Sequence, residues 1–375
     1  MGLGPQPLSG RRPFPAGEEA LSGGLYERVL RPLLFRMDPE SAHERALRLL
    51  ELAQKTPWTA SAIRGRFAYR DPSLRVRVAG LDFENPVGLA AGFDKDCRLA
   101  GILPAFGFGF LELGTVTPRP QEGNPRPRLF RYPGRFALVN RMGFNNEGAE
   151  AAARRLARSG PRTAPLGVSI GVNAEVAPED APAEYAKAFA ALAPYADYLA
   201  LNVSSPNTRG LRRLQEKLRL ERILTALSAV NALKRPLFVK LSPDLETEEV
   251  ENIIPVVRGL AQGVICANTT LSREGAPEAA EQGGGLSGAP LLERSARLIR
   301  EVRRVAGPSL PIIGSGGVFG AADAYRRQRA GASLIQVYTG VVYRGFGLVQ
   351  EINRGLAGLL KDHGLSRLDQ AVGAS

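Results

Sequence analysis

Several side chains that could take part in chemistry lie at the ends of short apolar runs in this sequence. Lys95 and Ser205 each follow such a run, and Lys240 lies at the end of a third. A lysine held against an apolar strand is a candidate to stabilise an anion, such as a carboxylate or a reduced cofactor. The two histidines, His43 and His363, lie towards the two ends of the chain. Ser205 therefore cannot belong to a Ser-His-Asp triad, and the chemistry must use Ser, Lys, Asn or a cofactor.

Glycine clusters follow the last two apolar runs, as GSGG at 314–317 and YTG at 338–340. Glycine lets consecutive backbone N–H groups close around an anion. In a barrel of alternating strands and helices, the loops after the last two strands form the usual phosphate site. The two clusters together predict a phosphorylated cofactor or substrate, whereas a single cluster would be explained equally well by a tight turn.

Asparagines form a second set of candidate ligands at the predicted strand ends. They are Asn140, Asn145, Asn202, Asn207 and Asn268. A carboxamide presents both donors and an acceptor, so converging asparagines suit a small planar ligand with amide edges, such as a pyrimidine ring. For any one asparagine, turn chemistry is the simpler interpretation. Five at strand ends favour the ligand.

The composition is that of a large, basic protein. Its 375 residues, 44% of them hydrophobic, suit a barrel of about 250 residues plus an extension. The net charge of +12 is typical of solvated arginine faces, and anionic lipid or nucleic acid are the alternative explanations. The sequence has no RNP-like segment and no Cys/His zinc spacing, and Cys97 and Cys266 stand alone. We therefore expect lipid rather than nucleic acid as a partner, and no metal site.

Short apolar runs alternate with helix-period segments from residue 85 onwards. The eight runs are NPVGLAA (85–91), GFLELGTV (109–116), LGVSIGV (166–172), YLALNVS (198–204), PLFVKLS (236–242), GVICANT (263–269), PIIGSGG (311–317) and LIQVYTG (334–340). Near-continuous apolar strands separated by helices indicate parallel strands that are buried on both faces. Eight repeats predict an α/β protein of the (β/α)₈ TIM-barrel type, with an open doubly wound sheet as the alternative. The polar residues after each run would then meet at one end of the barrel.

Two short amphipathic helices are predicted before the barrel. The first covers residues 25–35, where Pro32 should weaken the last turn, and the second begins at Asp38, an N-cap followed by proline. Such helices could be a lid packed on the barrel or a funnel at a membrane surface. The predicted divisions are a disordered tail (1–24), a helical membrane and quinone-access extension (25–65), the barrel (66–365) and a C-terminal tail (366–375).

Taken together, the motifs resemble those of the dihydroorotate dehydrogenase family, and specifically its quinone-dependent class, from about residue 25 to about residue 360. The matching segments are MDPESAH, NPVGLAAGFDK, GTVTPRPQEGNPRPRLFR, NRMGFN, NVSSPNT, VKLSPD, ANTT, GGLSG, PIIGSGG and LIQVYTG. The resemblance implies oxidation of (S)-dihydroorotate to orotate in pyrimidine biosynthesis, with FMN as the hydride acceptor. It also implies electron transfer to a membrane quinone, and peripheral attachment to the cytoplasmic side of the cell membrane.

The resemblance also implies roles for individual residues. Ser205 matches the catalytic base, with a proton relay through Thr208 or water beside Phe144. Residues implied to hold dihydroorotate are Lys95, Asn140, Arg141, Met142, Gly143, Phe144, Asn202, Asn207, Asn268 and Thr269. Residues implied to hold FMN are Ala91, Gly92, Phe93, Asp94, Lys95, Thr115, Asn202, Lys240, Gly288, Gly317, Tyr338 and Thr339. His43 and Arg131 match positions that face the quinone tunnel.

Two positions depart from the family pattern where it borders the flavin. Ser169 stands where the family usually has asparagine, and Ala267 stands where it usually has threonine or serine. We expect FMN still to bind, with a shorter-reaching hydroxyl at Ser169 and only backbone groups at Ala267, at a cost on the order of 1 kcal/mol for each hydrogen bond that is lost. Ser205 stands where the family's cytosolic class generally has cysteine, which favours the quinone class.

Other functions remain as alternatives at this point. The chain could be another FMN barrel, or a member of the soluble dihydroorotate class that uses fumarate or NAD. It could also be a basic nucleic-acid-binding protein on a degenerate barrel, which would bind nucleic acid in a salt-dependent way. Lys95, Ser205 and Lys240 are all present, which counts against degeneration.

Overall fold

The computed structural model describes residues 24–374. Its strands are β1 Val76–Val78, β2 Leu81–Phe83, β3 Val87–Leu89, β4 Phe110–Val116, β5 Leu129–Tyr132, β6 Ala137–Asn140, β7 Leu166–Ile170, β8 Tyr198–Asn202, β9 Leu237–Leu241, β10 Gly263–Cys266, β11 Gly285–Gly288, β12 Ile312–Ser315 and β13 Leu334–Val337. Its helices are α1 Arg31–Phe35, α2 Pro39–Gln54, α3 Thr59–Phe67, α4 Ala149–Arg158, α5 Ala181–Leu192, α6 Lys217–Val230, α7 Thr247–Leu260, α8 Leu292–Ala306, α9 Ala321–Ala330, α10 Thr339–Arg344 and α11 Gly347–Asp362.

Eight parallel strands close into a barrel, which confirms the predicted (β/α)₈ fold and excludes the open sheet. Going round the barrel, the order is β3, β4, β7, β8, β9, β10, β12 and β13, with β13 pairing again with β3. Each of these strands corresponds to one of the eight apolar runs. Because helices cover the outside and side chains fill the inside, both faces of every barrel strand are buried.

The N-terminal end of the barrel is filled by aromatic rings that pack against glycines on neighbouring strands. Phe110, Tyr198 and Phe238 belong to one buried cluster. A Cβ atom placed on Gly167 would lie 2.0 Å from the Tyr198 ring, and one on Gly88 would lie 2.4 Å from the Phe110 ring. The glycines therefore make the room that the rings occupy, and this end of the barrel is a packed core.

Two small antiparallel sheets were not predicted from the sequence. The hairpin of β1 and β2 closes the N-terminal end of the barrel, where Phe83 makes an edge contact with Phe110 at 5.5 Å between ring centroids. At the other end, β5, β6 and β11 form a three-stranded sheet in which Asn140 pairs with Gly285. This second sheet brings the chain around Asn140 to the C-terminal end of the barrel.

The N-terminal helices partly follow the prediction. Asp38 caps α2 by accepting the Ser41 backbone N–H at 2.9 Å, so the predicted start of this helix is confirmed. The expectation for Pro32 was wrong, because Pro32 lies in the first turn of α1, directly after a π-helical turn at Tyr26–Leu30. The predicted disordered tail (1–24) lies outside the residues that the structure describes, apart from Gly24.

Helix α2 is fixed to the barrel by two ion pairs. Glu40 at its start pairs with Arg128 at 2.7 Å, and both side chains are buried. Glu51 further along the helix pairs with Arg98 at 2.5 Å. Between residues 24 and 374, no helix is both long enough and apolar enough to cross a membrane.

Substitution of Gly167 by alanine tests the glycine–ring packing. The added methyl group would overlap the Tyr198 ring, and overpacking of this kind typically costs about 1–3 kcal/mol. We expect a lower midpoint in urea unfolding. The control is Gly259→Ala in α7, where a new Cβ meets nothing within 4 Å and alanine should stabilise the helix by about 0.5–1 kcal/mol. A Gly167→Ala protein as stable as the parent would contradict the packing described here.

Candidate active site

A large cavity opens at the C-terminal end of the barrel strands. It encloses about 1300 Å³, counting the space at its mouth. Most predicted site residues line it: His43, Ala91, Gly92, Lys95, Thr115, Asn140, Met142, Gly143, Phe144, Asn202, Ser205, Asn207, Lys240, Ala267, Asn268, Thr269, Gly288, Gly317, Tyr338 and Thr339. Residues that are far apart in the sequence thus meet where the parallel strands end.

Four residues that were predicted to contact ligand do not line this cavity, because their side chains are used elsewhere. The fully buried Asp94 carboxylate accepts the backbone N–H groups of Arg98 at 3.0 Å and Leu99 at 2.8 Å. The neighbouring Phe93 ring packs edge-on against aromatic rings, including Tyr338. Phe93 and Asp94 therefore shape the turn that carries Lys95, and their predicted part in holding FMN stays a prediction.

Arg141 and Ser169 are the other two predicted residues that do not line the cavity. The Arg141 guanidinium lies over the Phe130 ring at 4.9 Å and donates to the Pro127 carbonyl at 2.9 Å, away from the cavity. Ser169 is fully buried, and its hydroxyl shares a hydrogen bond with the Thr115 hydroxyl at 2.9 Å. Ser169 therefore orients a lining residue instead of facing the cavity. Asn145 also lies outside the lining, unlike the other four candidate asparagines.

Hydrogen bonds between side chains fix the orientation of the asparagines. Asn202 donates to the Thr115 hydroxyl at 2.9 Å, and Asn268 donates to the Asn202 carbonyl oxygen at 3.2 Å. The Asn207 side chain donates to the side-chain oxygen Oδ1 of Asn140 at 3.0 Å. The Asn207 Oδ1 and Thr269 Oγ1 atoms are buried without a partner in the described chain. Buried polar atoms of this kind are normally satisfied, so these two atoms suit a ligand with donor and acceptor edges.

The floor of the cavity contains a buried ion pair that the sequence analysis missed. Lys240 donates to Glu112 at 3.3 Å, and Glu112 is 0% exposed. Gln336 at 2.7 Å and the Tyr198 hydroxyl at 3.3 Å also donate to the Glu112 carboxylate. Burial raises the pKa of Tyr198, so its hydroxyl stays protonated. The available signal was a lone acidic residue within the apolar run FLELGTV.

Two titratable side chains of the cavity wall, Lys95 and His43, have pKa values shifted by burial. Burial lowers the pKa of Lys95 from its ordinary value, while the Glu44, Asp96 and Glu40 carboxylates oppose that shift. Burial also lowers the pKa of His43 to about 3. The imidazole is therefore neutral at physiological pH, and its Nε2 donates to the Phe93 carbonyl at 2.8 Å. His43 acts here as a hydrogen-bonded part of the wall and carries no charge.

The predicted base, Ser205, lies in the cavity wall and is almost fully buried. Its hydroxyl oxygen accepts the Asn207 backbone N–H at 3.3 Å. Thr208 lies nearby in the sequence, and its buried hydroxyl has no partner within the described chain. Ser205 therefore reaches the cavity without any adjacent imidazole to activate it.

Backbone groups form a cradle at one side of the cavity, which we call the glycine cradle: Gly316, Gly317, Tyr338, Thr339 and Gly340. Gly316 and Gly317 have φ angles of +101° and +70°, which turn the chain sharply after β12. The Thr339 hydroxyl shares a hydrogen bond with that of Ser287 at 2.9 Å. Ser315 and Gly316, which line the cavity, belong to the predicted GSGG cluster, whereas Ser287 lines it but was not among the predicted contacts.

Arg131 lies in a second, shallower depression between α1, the start of α2 and β5. Its guanidinium sits over the Phe35 ring at 4.5 Å and donates to the Leu34 carbonyl at 3.1 Å and to the Met37 carbonyl. Leu129 lines both this depression and the main cavity. Arg131 is therefore separate from the main cavity and adjacent to it.

Known proteins resemble this chain over most of its length. Residues 73–360 match the family model described as dihydroorotate dehydrogenase. A protein of Acidithiobacillus ferrooxidans named dihydroorotate dehydrogenase (quinone) is 47% identical over 358 residues, covering 92% of this chain and 99% of the relative. Its namesake from Sphingopyxis alaskensis is 48% identical, covering 92% of this chain and 96% of the relative.

Solved structures agree with the sequence comparisons. The crystal structure of ligand-free DHODH from Eimeria tenella superposes with a TM-score of 0.81 at 36% identity, covering 90% of this chain and 99% of that one. The Eimeria tenella enzyme in complex with ferulenol gives a TM-score of 0.81 at 35% identity, covering 90% and 95%. On the match over residues 73–360 and on these full-length relatives, the chain belongs to the dihydroorotate dehydrogenase family.

Proposed function

We propose that this chain oxidises (S)-dihydroorotate to orotate and passes the electrons to a membrane quinone, as a step of pyrimidine biosynthesis. The observation that carries the proposal is the convergence of Lys95, Ser205 and Lys240 with four asparagines in one cavity. The full-length relatives are named dihydroorotate dehydrogenase (quinone), which supports a quinone as the electron acceptor. A fumarate- or NAD-dependent enzyme would need neither the depression beside α1 nor its apolar surroundings.

FMN fits the cavity as the resident cofactor. The glycine cradle offers backbone N–H groups for a phosphate, and the buried Gln336 Oε1 at the floor has no partner in the described chain. Ala267 lines the cavity with backbone groups only, whereas Ser169 acts through Thr115. When bound, FMN supplies the acceptor for the hydride that leaves the substrate.

Lys240 supplies positive charge at the floor of the cavity. Glu112 holds its ammonium group in place, and Gln336 and Tyr198 hold Glu112 in turn. A preorganised charge in a buried site stabilises negative charge more strongly than the same group would in water. We assign Lys240 to stabilising the negative charge that accumulates in the cavity during the reaction.

The substrate is held by its carboxylate and its amide edges. Lys95 is placed to pair with the carboxylate. Asn140 and Asn207 are oriented by the hydrogen bond between them, and Asn268 is oriented by its bond to the Ser204 hydroxyl. Their carboxamides offer donors and acceptors to the ring amides. Ser205 takes the proton from one ring carbon. An isolated serine is a weak base, so we infer that the proton continues through Thr208 or through water beside Phe144.

The N-terminal helices provide the route for the quinone. Helix α2 contributes Glu40, His43 and Glu44 to the wall of the main cavity, and the Arg131 depression opens beside it. Exposed apolar side chains lie along this part of the chain: Leu25, Val29, Leu30, Leu33, Leu49, Leu52 and Trp58. We assign residues 25–65 as the quinone-access extension of the barrel at 66–365. It attaches peripherally to the cytoplasmic face of the cell membrane.

Replacing Ser205 by alanine tests its role as the base. Loss of a positioned proton acceptor lowers rates by about 100- to 10,000-fold, and we expect kcat with a quinone analogue to fall in that range. Flavin content and thermal stability should stay at the level of the parent protein. Ser228→Ala on the exposed face of α6 is the matched control. Turnover near that of the parent in Ser205→Ala would refute the assignment.

The pH dependence of KM tests the role of Lys95. A lysine binds a carboxylate only when protonated, so affinity is complete below its pKa and is lost as the pH rises through it. Because burial lowers that pKa from 10.5, KM for dihydroorotate should begin to rise below pH 10.5. In Lys95→Arg the guanidinium keeps its charge, so the alkaline rise in KM should disappear. An identical rise in both proteins would assign the titration to another group.

Vesicle binding tests the attachment of α2 to a membrane. Leu49 and Leu52 are 67% and 61% exposed and lie on one face of the helix. Changing both to glutamate should lower the affinity for anionic lipid vesicles, measured by co-sedimentation, by at least about tenfold. The reason is that two apolar side chains that would be buried in the membrane are lost. Changing Leu218 and Leu233, which are 69% and 54% exposed, to glutamate is the control and should have little effect. Equal loss in both double variants would argue against a binding face on α2.

A further inference from the structure

A fully buried arginine lies directly behind the glycine cradle. Arg327 of α9 is 0% exposed. Its guanidinium donates to the Gly316 carbonyl, to the Leu292 carbonyl at 3.3 Å and to the Asp323 carbonyl at 3.4 Å. All three partners are backbone oxygens, and the Asp323 carboxylate is used by the Phe319 N–H at 2.9 Å. Among the described residues no carboxylate lies within ion-pair distance of the guanidinium, although Asp323 and Glu293 are near enough to oppose the effect of burial on its pKa.

Such an arrangement is unfavourable unless something else compensates the charge. Burial lowers the pKa of Arg327 to about 10, so the guanidinium remains charged at neutral pH. Its Nε atom has no partner within the described chain, so hydrogen bonding alone does not satisfy the group. The charge is only partly compensated by Asp323 and Glu293, and this points to an anion on the other side of the cradle.

The contact with Gly316 determines which way the cradle faces. In a trans peptide the C=O and the following N–H point in opposite directions. Arg327 holds the Gly316 carbonyl from the side away from the cavity, so the Gly317 N–H of the same peptide points towards the cavity. Gly317 lines that cavity, and its φ of +70° belongs to the same turn. Arg327, which lies behind the Gly316–Gly317 turn, thus orients the Gly317 N–H on the cavity side of that turn.

We propose that Arg327 is a positioning residue for the phosphate group of the cofactor. It fixes the Gly316–Gly317 peptide with its N–H towards the phosphate, and its charge balances the phosphate through one layer of backbone. The inference rests on the proposed function because it requires a phosphate-bearing cofactor in this cavity. The residue does not touch the reacting atoms, so it should act on cofactor affinity and leave the chemistry of the substrate unchanged.

A second arginine in the same layer of helices provides a matched comparison. Arg303 of α8 donates to the carbonyls of Gly307, at 2.9 Å, and Gly331, and its Nε is also buried without a partner in the described chain. Its contacts are therefore of the same chemical kind as those of Arg327. Neither Gly307 nor Gly331 lines the cavity. Arg303 is less buried than Arg327, so it controls for the loss of a guanidinium that bonds backbone carbonyls away from the cavity.

The test compares a flavin that has the phosphate with one that lacks it. Dissociation constants for FMN and riboflavin are measured by the fluorescence of released flavin on dilution of the loaded full-length protein. In Arg327→Met, the constant for FMN should rise by about 10- to 100-fold, which is the range for losing a charge-assisted contact. The constant for riboflavin should stay unchanged. In Arg303→Met, the ratio of the two constants should equal that of the parent protein.

Each outcome decides the proposal. Equal weakening of FMN and riboflavin in Arg327→Met, or an equal change of the ratio in Arg303→Met, would overturn it. If Arg327→Met does not fold, Arg327→Gln keeps one donor for Gly316 without the charge. It should lower the preference for FMN over riboflavin by a smaller factor, and an unchanged preference would overturn the proposal. A parent protein that binds neither flavin would instead contradict the proposed function.

Discussion

Closure of eight strands into a barrel directs alternate side chains of every strand into one shared interior. In this protein that interior has two levels with opposite chemistry. At the N-terminal level, aromatic rings fill the space so completely that their neighbours are glycines. One level higher, Glu112, Lys240 and Gln336 form a buried polar floor. The apolar plug below excludes water, so the polar groups above it act in a medium of low dielectric constant, where their charges count for more.

The wall of the cavity on the side of the N-terminal helices is held by a chain of hydrogen bonds that begins outside the barrel. Glu40 of α2 pairs with Arg128, and Arg128 donates to the Asn124 carbonyl at 2.9 Å. The Asn124 side chain then donates to the carbonyls of Arg141 at 2.9 Å and Asn207 at 3.1 Å. The helical extension is thus connected by three successive side chains to the segment that carries Ser205. Because each link is at least part-buried, a movement of α2 that kept these bonds would displace that segment as well.

The sequence predicted the barrel because the barrel follows from local patterns, whereas the resemblance to the family supplied most of the individual site residues, which stay predictions. Long apolar runs and polar strand ends are visible without knowledge of contacts, whereas the direction of a side chain depends on its partners in space. Arg141 was assigned to the site, yet Phe130 and Pro127 draw it away. Glu112 was missed because a single acid in an apolar run gives no sign of the lysine opposite. The three-residue strands β1 and β2 were too short to show any period.

The pairing of glycines with rings at the N-terminal end of the barrel limits how this protein can diverge. Gly167 and Tyr198 occupy one volume between them, so the size allowed at one position is set by the residue at the other. A larger residue on β7 becomes acceptable only after the ring on β8 has become smaller. Mutational paths through these positions are therefore ordered, with the loss of an aromatic side chain preceding the gain of an aliphatic one. Homologous barrels should conserve the summed volume of each such pair more closely than the identity of either member.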